Sequence, residues 1–213
     1  MKYLMKSLDW VAKLAYLNVL WLLFTLAGAI IFGLFPSTVA MFTIIRRWHI
    51  DHDNDVSIRQ YFDVFKKEFL KSNQLGLCFL GVSFLMYINI QYMYFYNHGF
   101  HEYIKLPLTI VMIIVALMLL YVIPVYVHYQ LNIREVFKYA LLLMIIHPLY
   151  NLGMLVSLAC VLVIMLFLPN AIFFFLGSLS AFIIMRTCLF VFKRVAYKQK
   201  EYRITETNES NVY

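Results

Sequence analysis

The densest group of potential metal ligands lies in the segment His49–Asp55. Its aspartates at positions 51, 53 and 55 match the opening of a calcium-binding loop. Val56, however, stands where that loop needs glycine, and Phe62 stands where it needs glutamate. The two histidines, His49 and His52, would need further ligands in a fixed geometry to hold a transition metal. We therefore interpret the segment as a solvated turn, and the sequence predicts neither a metal nor a cofactor.

Two further residues could take part in chemistry. Arg186 lies inside the last predicted span, Ala171–Phe192, and an ionisable residue within a span is the usual sign of a substrate path. Its position close to one end of a predicted helix equally fits a side chain that reaches the membrane interface. His147 precedes Pro148 and is typical of an interfacial helix start rather than of a proton relay. Hydrolase, metalloprotease and nucleotide-binding motifs are absent, so no catalytic residue is assigned and the sequence predicts a non-enzymatic protein.

Polar side chains within the apolar runs are the remaining candidates for a site. Asn18, Trp21 and Asn151 stand out because an amide or indole N–H is costly when it faces lipid. Such groups commonly form hydrogen bonds between helices, and this interpretation comes first. The second interpretation is a polar cavity for a small solute, lined by these three residues and Arg186.

The composition indicates which elements must position these side chains. Of the 213 residues, 63% are apolar and 14% are charged, and the mean hydropathy is +0.78. Such a surplus of apolar residues excludes a soluble enzyme, a disordered chain and a small disulfide-stabilised scaffold. Four runs contain no Asp, Glu, Lys or Arg, and each exceeds the roughly 20 residues that span a bilayer: Leu14–Ile45, Ser72–His101, Leu106–Ile133 and Tyr139–Met185. The runs are continuous rather than alternating, which favours helices over an outer-membrane barrel.

The net charge of +7 belongs to the membrane topology in this interpretation. The basic residues flank the apolar runs, as expected for the positive-inside bias and for contact with anionic lipid, so no nucleic acid is predicted as a partner. Ala27-Gly28-Ala29 resembles a signal-cleavage site, but the apolar run continues well beyond it. We therefore expect the first helix to be retained.

The lengths of the runs predict six membrane segments. The first run is too long for one span and contains Pro36, which is well placed at the start of a new helix. The last run is also too long and turns at Pro169-Asn170. The predicted segments are Asp9–Phe32, a short one at Pro36–His49, Leu75–Phe95, Leu106–His128, Leu149–Leu168 and Ala171–Phe192.

An amphipathic helix is predicted over Ile58–Lys71. Its apolar residues share one side, and four cations lie around the other: Arg59, Lys66, Lys67 and Lys71. This pattern is typical of a helix at the cytoplasmic interface. Its opening, Ile58-Arg59-x-x-Phe62, recurs 75 residues later as Ile133-Arg134-x-x-Phe137, which indicates a parallel internal repeat.

The fold class that follows is all-α, a polytopic transmembrane bundle of about six segments arranged as three hairpins. Residues 1–200 form a single transmembrane domain, and residues 201–213 are predicted to be a disordered cytoplasmic tail. Basic residues at the open ends of the hairpins place both termini in the cytoplasm.

The first part of the chain resembles the YesL-like family of bacterial membrane proteins, a domain of unknown function. The resemblance rests on Asn18-Val19-Leu20-Trp21, on Gly33-Leu34-Phe35-Pro36-Ser37-Thr38, on Arg46-Arg47-Trp48 and on the segment that starts at Ile58. Members of this family often lie near carbohydrate-uptake genes. The resemblance therefore implies a protein of the bacterial plasma membrane with a role beside sugar import, and it carries over no catalytic residue.

Two functions stay open at this point. The first is an accessory of a sugar transporter, or a protein that itself moves a small solute. The second is a membrane scaffold or regulatory protein whose basic helix, Ile58–Lys71, binds a cytoplasmic partner or anionic lipid. A membrane enzyme is a weaker third, since it would depend on Arg186, on His147 or on the His49–Asp55 turn.

Overall fold

The computed structural model of the chain describes residues 2–50, 56–95 and 101–210, with side-chain surroundings for residues 8–50, 56–95 and 103–197. Within these ranges the regular structure is helical, as the sequence predicts. The helices are α1 (Lys2–Ala27), α2 (Ile31–Ile50), α3 (Ile58–Phe95), α4 (His101–Tyr129), α5 (Ile133–Ile146), α6 (Pro148–Phe167) and α7 (Pro169–Ser210). Most of the predicted His49–Asp55 turn, residues 51–55, lies outside the described residues.

Five of these helices contain segments that are long and apolar enough to cross a membrane. They are Leu8–Ala27, Ile58–Phe95, Tyr103–Tyr129, Pro148–Phe167 and Pro169–Tyr197. The chain is therefore a helical membrane protein. Helix α2 also has 20 residues but includes Arg46 and Arg47, so the sixth predicted segment remains a prediction.

The break in the first apolar run lies earlier than predicted. The turn falls at Gly28–Ile30, where Ala29 and Ile30 have φ angles of 57° and 62°, and Pro36 lies inside α2 rather than at its start. A Cβ on Gly28 would overlap the Cα of Gly33, and one on Gly33 would overlap a carbonyl of α1. The two glycines therefore allow the backbones to meet here, and this close approach sets the position of the turn rather than the proline.

Helix α3 joins two elements that the sequence separates. The predicted interfacial helix Ile58–Lys71 and the predicted span Leu75–Phe95 form one continuous helix. The polar residues between them do not break it, because the hydroxyl of Ser72 donates to the Glu68 carbonyl at 2.7 Å and the amide of Asn73 donates to the Phe69 carbonyl at 2.9 Å.

The second half of the chain matches the sequence more closely. Helix α6 ends at Phe167 and α7 begins at Pro169, as the predicted turn requires. Helix α7 continues to Ser210, whereas the sequence predicts a disordered tail from residue 201. Extending an existing helix needs no new nucleation step, and Glu201, Arg203, Glu206 and Glu209 in this stretch have high helix propensity.

The internal repeat corresponds to a shared layout. Helix α5 begins at Ile133, 75 residues after α3 begins at Ile58. Buried positions coincide at the same offset, since Tyr61 and Val136 are both fully buried. In the first copy the helix runs on into the span, whereas in the second it breaks at His147-Pro148.

Helices α2, α4 and α7 contact one another and form the centre of the bundle. Helix α1 packs on α2 and α7, α3 packs on α2, and α5 packs on α4. The core consists mainly of aliphatic residues, with a few polar or aromatic ones. Its members include Val39, Ile44, Ile45, Tyr121, Val122, Val125, Ala181, Met185 and Cys188.

Candidate functional site

The helices bring a group of aromatic and basic side chains to one end of the bundle. The rings of Trp10 and Trp48 lie 5.6 Å apart, and those of His128 and Phe192 lie 4.6 Å apart. Arg46 Nε donates to His128 Nδ1 at 3.3 Å. We call this the basic end; it contains the start of α1 and the C-terminal parts of α2, α4 and α7. The opposite, apolar end contains the α1–α2 and α6–α7 turns and the facing ends of α3 and α4.

Asn18 joins α1 to α7 and is only 2% exposed. Its Nδ2 donates to the Phe173 carbonyl at 2.7 Å, and its Oδ1 accepts the Ser178 backbone N–H at 2.9 Å. A Cβ on Gly177 would lie 2.7 Å from this Oδ1, so glycine is what lets the amide reach the backbone. Both ends of the amide are used between helices, which is the packing interpretation of this residue.

Trp21 belongs to a second network, which joins α1, α2 and α3. Its indole N–H donates to Thr38 Oγ1 at 3.0 Å, and its carbonyl accepts from Ser37 Oγ at 3.0 Å. The hydroxyl of Tyr61 donates to the Ser37 carbonyl at 2.6 Å, and the Tyr61 ring stacks on Phe24 with centroids 5.0 Å apart. The start of α3 is thereby held against the α1–α2 hairpin.

Asn151 lies in a third network, among α4, α5 and α6. Tyr121 donates its hydroxyl to Asn151 Oδ1 at 2.5 Å, and Asn151 Nδ2 donates to the Met144 carbonyl at 2.8 Å. The residue four positions after Met144 is Pro148, which has no N–H to offer that carbonyl. Asn151 therefore replaces the helical hydrogen bond that is lost where α5 and α6 separate.

Arg186 lies apart from these three networks. It is exposed on α7 and lines a groove of about 580 Å³ at the basic end, between α1, α2 and α7. The structure thus places Asn18 and Trp21 together on α1 but does not bring Asn151 or Arg186 to them. The four residues proposed for one polar cavity therefore fall in three places, and Asn18, Trp21 and Asn151 already form hydrogen bonds with neighbouring helices.

The four cations of the predicted basic helix are all exposed on α3, and they are Arg59, Lys66, Lys67 and Lys71. The opposite side of this segment is held to the bundle, since Tyr126 donates its hydroxyl to Glu68 Oε2 at 2.6 Å. Lys71 also lines a second cavity, of about 540 Å³, beside the α4–α5 connection. An exposed basic side and an anchored apolar side fit the predicted amphipathic character.

Two groove residues were missed from the sequence, namely Trp48 and Lys193. The spacing of Arg186 and Lys193, seven residues apart on one helix, could have shown that they share a face. The contribution of Trp48 depends on how α2 packs against α1, which no local pattern encodes. Among the described residues, no three His, Cys, Asp or Glu side chains come together as metal ligands.

The comparisons with known proteins agree with the helical layout. A family profile described as "Protein of unknown function, DUF624" matches residues 14–90. Three proteins of Bacillus subtilis (strain 168), each called uncharacterized, are similar over most of their length. YteU is 31% identical over 192 residues, which cover 90% of this chain and 86% of YteU. YesV is 36% identical over 179 residues, 82% of this chain and 84% of YesV. YesL is 32% identical over 192 residues, 90% of each chain.

No solved structure matches the chain. The three relatives share about a third of their residues with it across more than four-fifths of both chains. Similarity of this extent is not confined to the profile match at residues 14–90. The chain therefore belongs to the YesL-like family, DUF624.

Proposed function

We propose that the protein is a non-enzymatic accessory of a carbohydrate transporter in the bacterial plasma membrane. The association with sugar uptake comes from the family resemblance. The observation that supports an accessory over a carrier is the use of the interior polar groups. The hydrogen bonds of these groups are made to neighbouring helices, by Asn18, Trp21 and Asn151. The three side chains therefore stabilise the bundle and are not free to line a solute path.

The apolar end offers the surface for such a partner. No described residue of α3 beyond Gly76 is buried, and the buried residues of α4 all lie between 121 and 127. The outer halves of these two helices touch each other through Thr109 and Met93 but have few other neighbours. Two long helices with uncovered apolar faces suit association with the transmembrane helices of another subunit.

In the proposed topology the basic end faces the cytoplasm. The bundle gathers Arg46 and Arg47 of α2 with Lys193 and Arg194 of α7 at that end, which is the distribution expected of cytoplasmic ends. The helices would then form three hairpins with both termini inside. Accessibility labelling of single cysteines at positions 47 and 103, in a variant that lacks the three native cysteines, tests this. Position 47 should be protected from an impermeant reagent in intact cells, and position 103 should react.

Site-specific photo-crosslinking in the native host tests the accessory function. A photoreactive residue replaces Phe84 or Ile110 on the outer halves of α3 and α4, and Leu152 on α6 serves as the exposed control. We expect a sugar-transporter membrane subunit to be crosslinked from the first two positions and not from the third. Uptake of the corresponding sugar should fall when the chain is deleted. Unchanged uptake of all sugars tested, with no transporter subunit crosslinked, would overturn the proposal.

The second candidate is a scaffold that binds a cytoplasmic partner or anionic lipid through the basic side of α3. The exposure of Lys66, Lys67 and Lys71 supports it, because cations that form no ion pair with a described residue are available to an anionic surface. Replacing all three by glutamine should weaken binding to anionic vesicles and leave the fold intact. If neither vesicle nor partner binding changes, this candidate fails.

A further inference from the structure

The groove that contains Arg186 has two kinds of wall. One wall is apolar and aromatic and the other carries positive charge. The lining residues are Trp10, Leu14, Trp48, His49, Ile50, Phe182, Arg186, Leu189, Phe190 and Lys193. They come from α1, α2 and α7, so the groove exists only where the three helices meet.

The positive charge of the groove is not neutralised by its described lining. Arg186 and Lys193 are both exposed and are separated by two turns of α7, about 10 Å along the axis. No Asp or Glu is among the described lining residues. His49 Nδ1 lies 2.9 Å from the Ile45 carbonyl, to which it donates, so this nitrogen is already paired within α2. Two cations without a counter-ion among the described lining residues favour an anionic ligand.

Trp48 extends the aromatic wall of the groove. It lines the groove and is only 3% exposed, and its indole N–H is buried without a hydrogen-bond partner among the described residues. Because that N–H is closed off even from water, Trp48 offers a ligand ring surface rather than a hydrogen bond.

The aromatic wall indicates what else the ligand carries. The Trp10 ring packs edge-on against Trp48 and lies 5.9 Å from Phe182, and the His49 ring lies 4.9 Å from the same phenyl group. Leu14 and Phe190 continue the apolar surface. A ligand that fits both walls is amphiphilic, with an anionic head and an apolar body.

We infer that this groove binds one anionic phospholipid, with its phosphate between Arg186 and Lys193 and its acyl part along the aromatic wall. The location agrees with this ligand, because the groove opens at the basic end, where phospholipid headgroups meet the positively charged ends of the helices. The inference does not depend on the proposed transporter partner. A soluble phosphorylated compound shares the phosphate chemistry but would leave the apolar wall uncovered.

Lipid retention by the purified full chain tests the inference. The protein is reconstituted in nanodiscs of phosphatidylcholine and phosphatidylglycerol, extracted in neutral detergent, and examined by native mass spectrometry for bound lipid. We expect one phosphatidylglycerol molecule to be enriched over phosphatidylcholine. Arg186→Gln with Lys193→Gln should weaken its binding about tenfold. Trp48→Phe keeps an aromatic ring on the wall and should retain the lipid.

The matched control is Arg134→Gln with Lys138→Gln, which removes two exposed cations from α5, outside the groove and outside the basic side of α3. It should retain the lipid as the unmodified protein does. Equal retention by the groove variant and the unmodified protein would overturn the inference, as would equal binding of the two phospholipids. Displacement by glycerol phosphate as effective as by short-chain phosphatidylglycerol would identify a soluble phosphate ligand instead and would also overturn it. Arg186 and Lys193 are exposed, so their variant should fold, and thermal unfolding checks this.

Discussion

The packed bundle and the outer halves of α3 and α4 are built differently, although both consist mainly of apolar residues. In the packed bundle, α2, α4 and α7 bury residues such as Ile45, Val125 and Met185 completely. On the outer halves, Leu77 and Tyr94 of α3 and Leu106 of α4 are 74%, 78% and 69% exposed. Hydrophobicity alone does not decide which helix surfaces meet in a membrane, because lipid solvates an apolar side chain as well as a neighbouring helix does. The shape of the helix surfaces and the hydrogen bonds between them decide which surfaces pack together.

This contrast assigns separate roles to the two regions. The packed bundle, which reaches from the basic end to the α1–α2 and α6–α7 turns, holds the fold together and carries the groove. The outer halves of α3 and α4 leave helix surfaces free for lipid or a partner. Stability should therefore respond strongly to changes in the packed bundle and weakly to the same changes on these outer halves. Matched substitutions in the two regions test this directly.

The largest effect is expected from a truncation in the core of the basic end. Ile45→Ala removes three carbons from a fully buried position and should lower the free energy of unfolding by about 2–5 kcal/mol. Leu77→Ala on the outer half of α3 removes a similar volume from an exposed position and should change the free energy of unfolding by less than about 0.5 kcal/mol. Equilibrium unfolding in mixed micelles measures both. Equal losses would contradict the division into a packed bundle and open outer halves.

A glycine pair gives the next largest effect. Gly177→Ala places a methyl group 2.7 Å from Asn18 Oδ1 and should cost about 1–3 kcal/mol, since the α1–α7 hydrogen bonds must move. Gly81→Ala on α3 meets nothing within 4 Å and should stabilise the helix by up to about 1 kcal/mol.

The same unfolding assay, with Asn18→Ala added to each glycine variant, tests whether the contact with Asn18 causes the loss. Removing the amide should abolish most of the cost of Gly177→Ala and leave the effect of Gly81→Ala unchanged. If the losses in free energy of unfolding from Asn18→Ala and Gly177→Ala are additive, the contact with Asn18 is not the reason that position 177 needs glycine.

A tyrosine pair separates a buried hydrogen bond from an exposed one. Tyr121→Phe removes the 2.5 Å hydrogen bond to Asn151 in the α4–α5–α6 network and should cost about 1 kcal/mol. Tyr87→Phe removes the 2.9 Å contact with Gln91 on the exposed face of α3 and should cost less than about 0.5 kcal/mol. Thermal unfolding of the two variants in the same detergent measures the difference, and a larger loss for Tyr87→Phe would reverse the comparison.

Much of the fold follows from the sequence because membrane helices are encoded by long apolar runs. The α6–α7 turn at Pro169 and the start of α5 at Ile133 were both predictable from local signals, a proline and a repeated motif. The α1–α2 turn was not, because the close contact of Gly28 with Gly33 depends on two segments meeting in space. A glycine five residues from another in an apolar run was the available signal, and the proline outweighed it.

The candidate site was predictable only in part. The unusual position of Arg186 pointed to it, and the cost of amides in lipid pointed to Asn18 and Asn151. The sequence could not show that the side-chain amides of Asn18 and Asn151 donate to helix backbones. Their acceptors are the carbonyls of Phe173 and Met144, and because every residue has a backbone carbonyl, no local pattern identifies the one that is used. Nor could it show that Trp48 joins Arg186, since α2 and α7 are far apart in the chain.

The smallest expected effect concerns charge at the basic end. Lys13 Nζ lies 3.0 Å from Asp9 Oδ2 one helical turn away, and Asp9 is largely exposed. Lys13→Gln should change the free energy of unfolding by less than about 0.5 kcal/mol, because water and salt screen an exposed pair. The cations at this end would then act on orientation and on anionic ligands, while packing supplies the stability. A loss above about 1 kcal/mol in low salt, abolished in high salt, would show instead that charge itself stabilises the basic end.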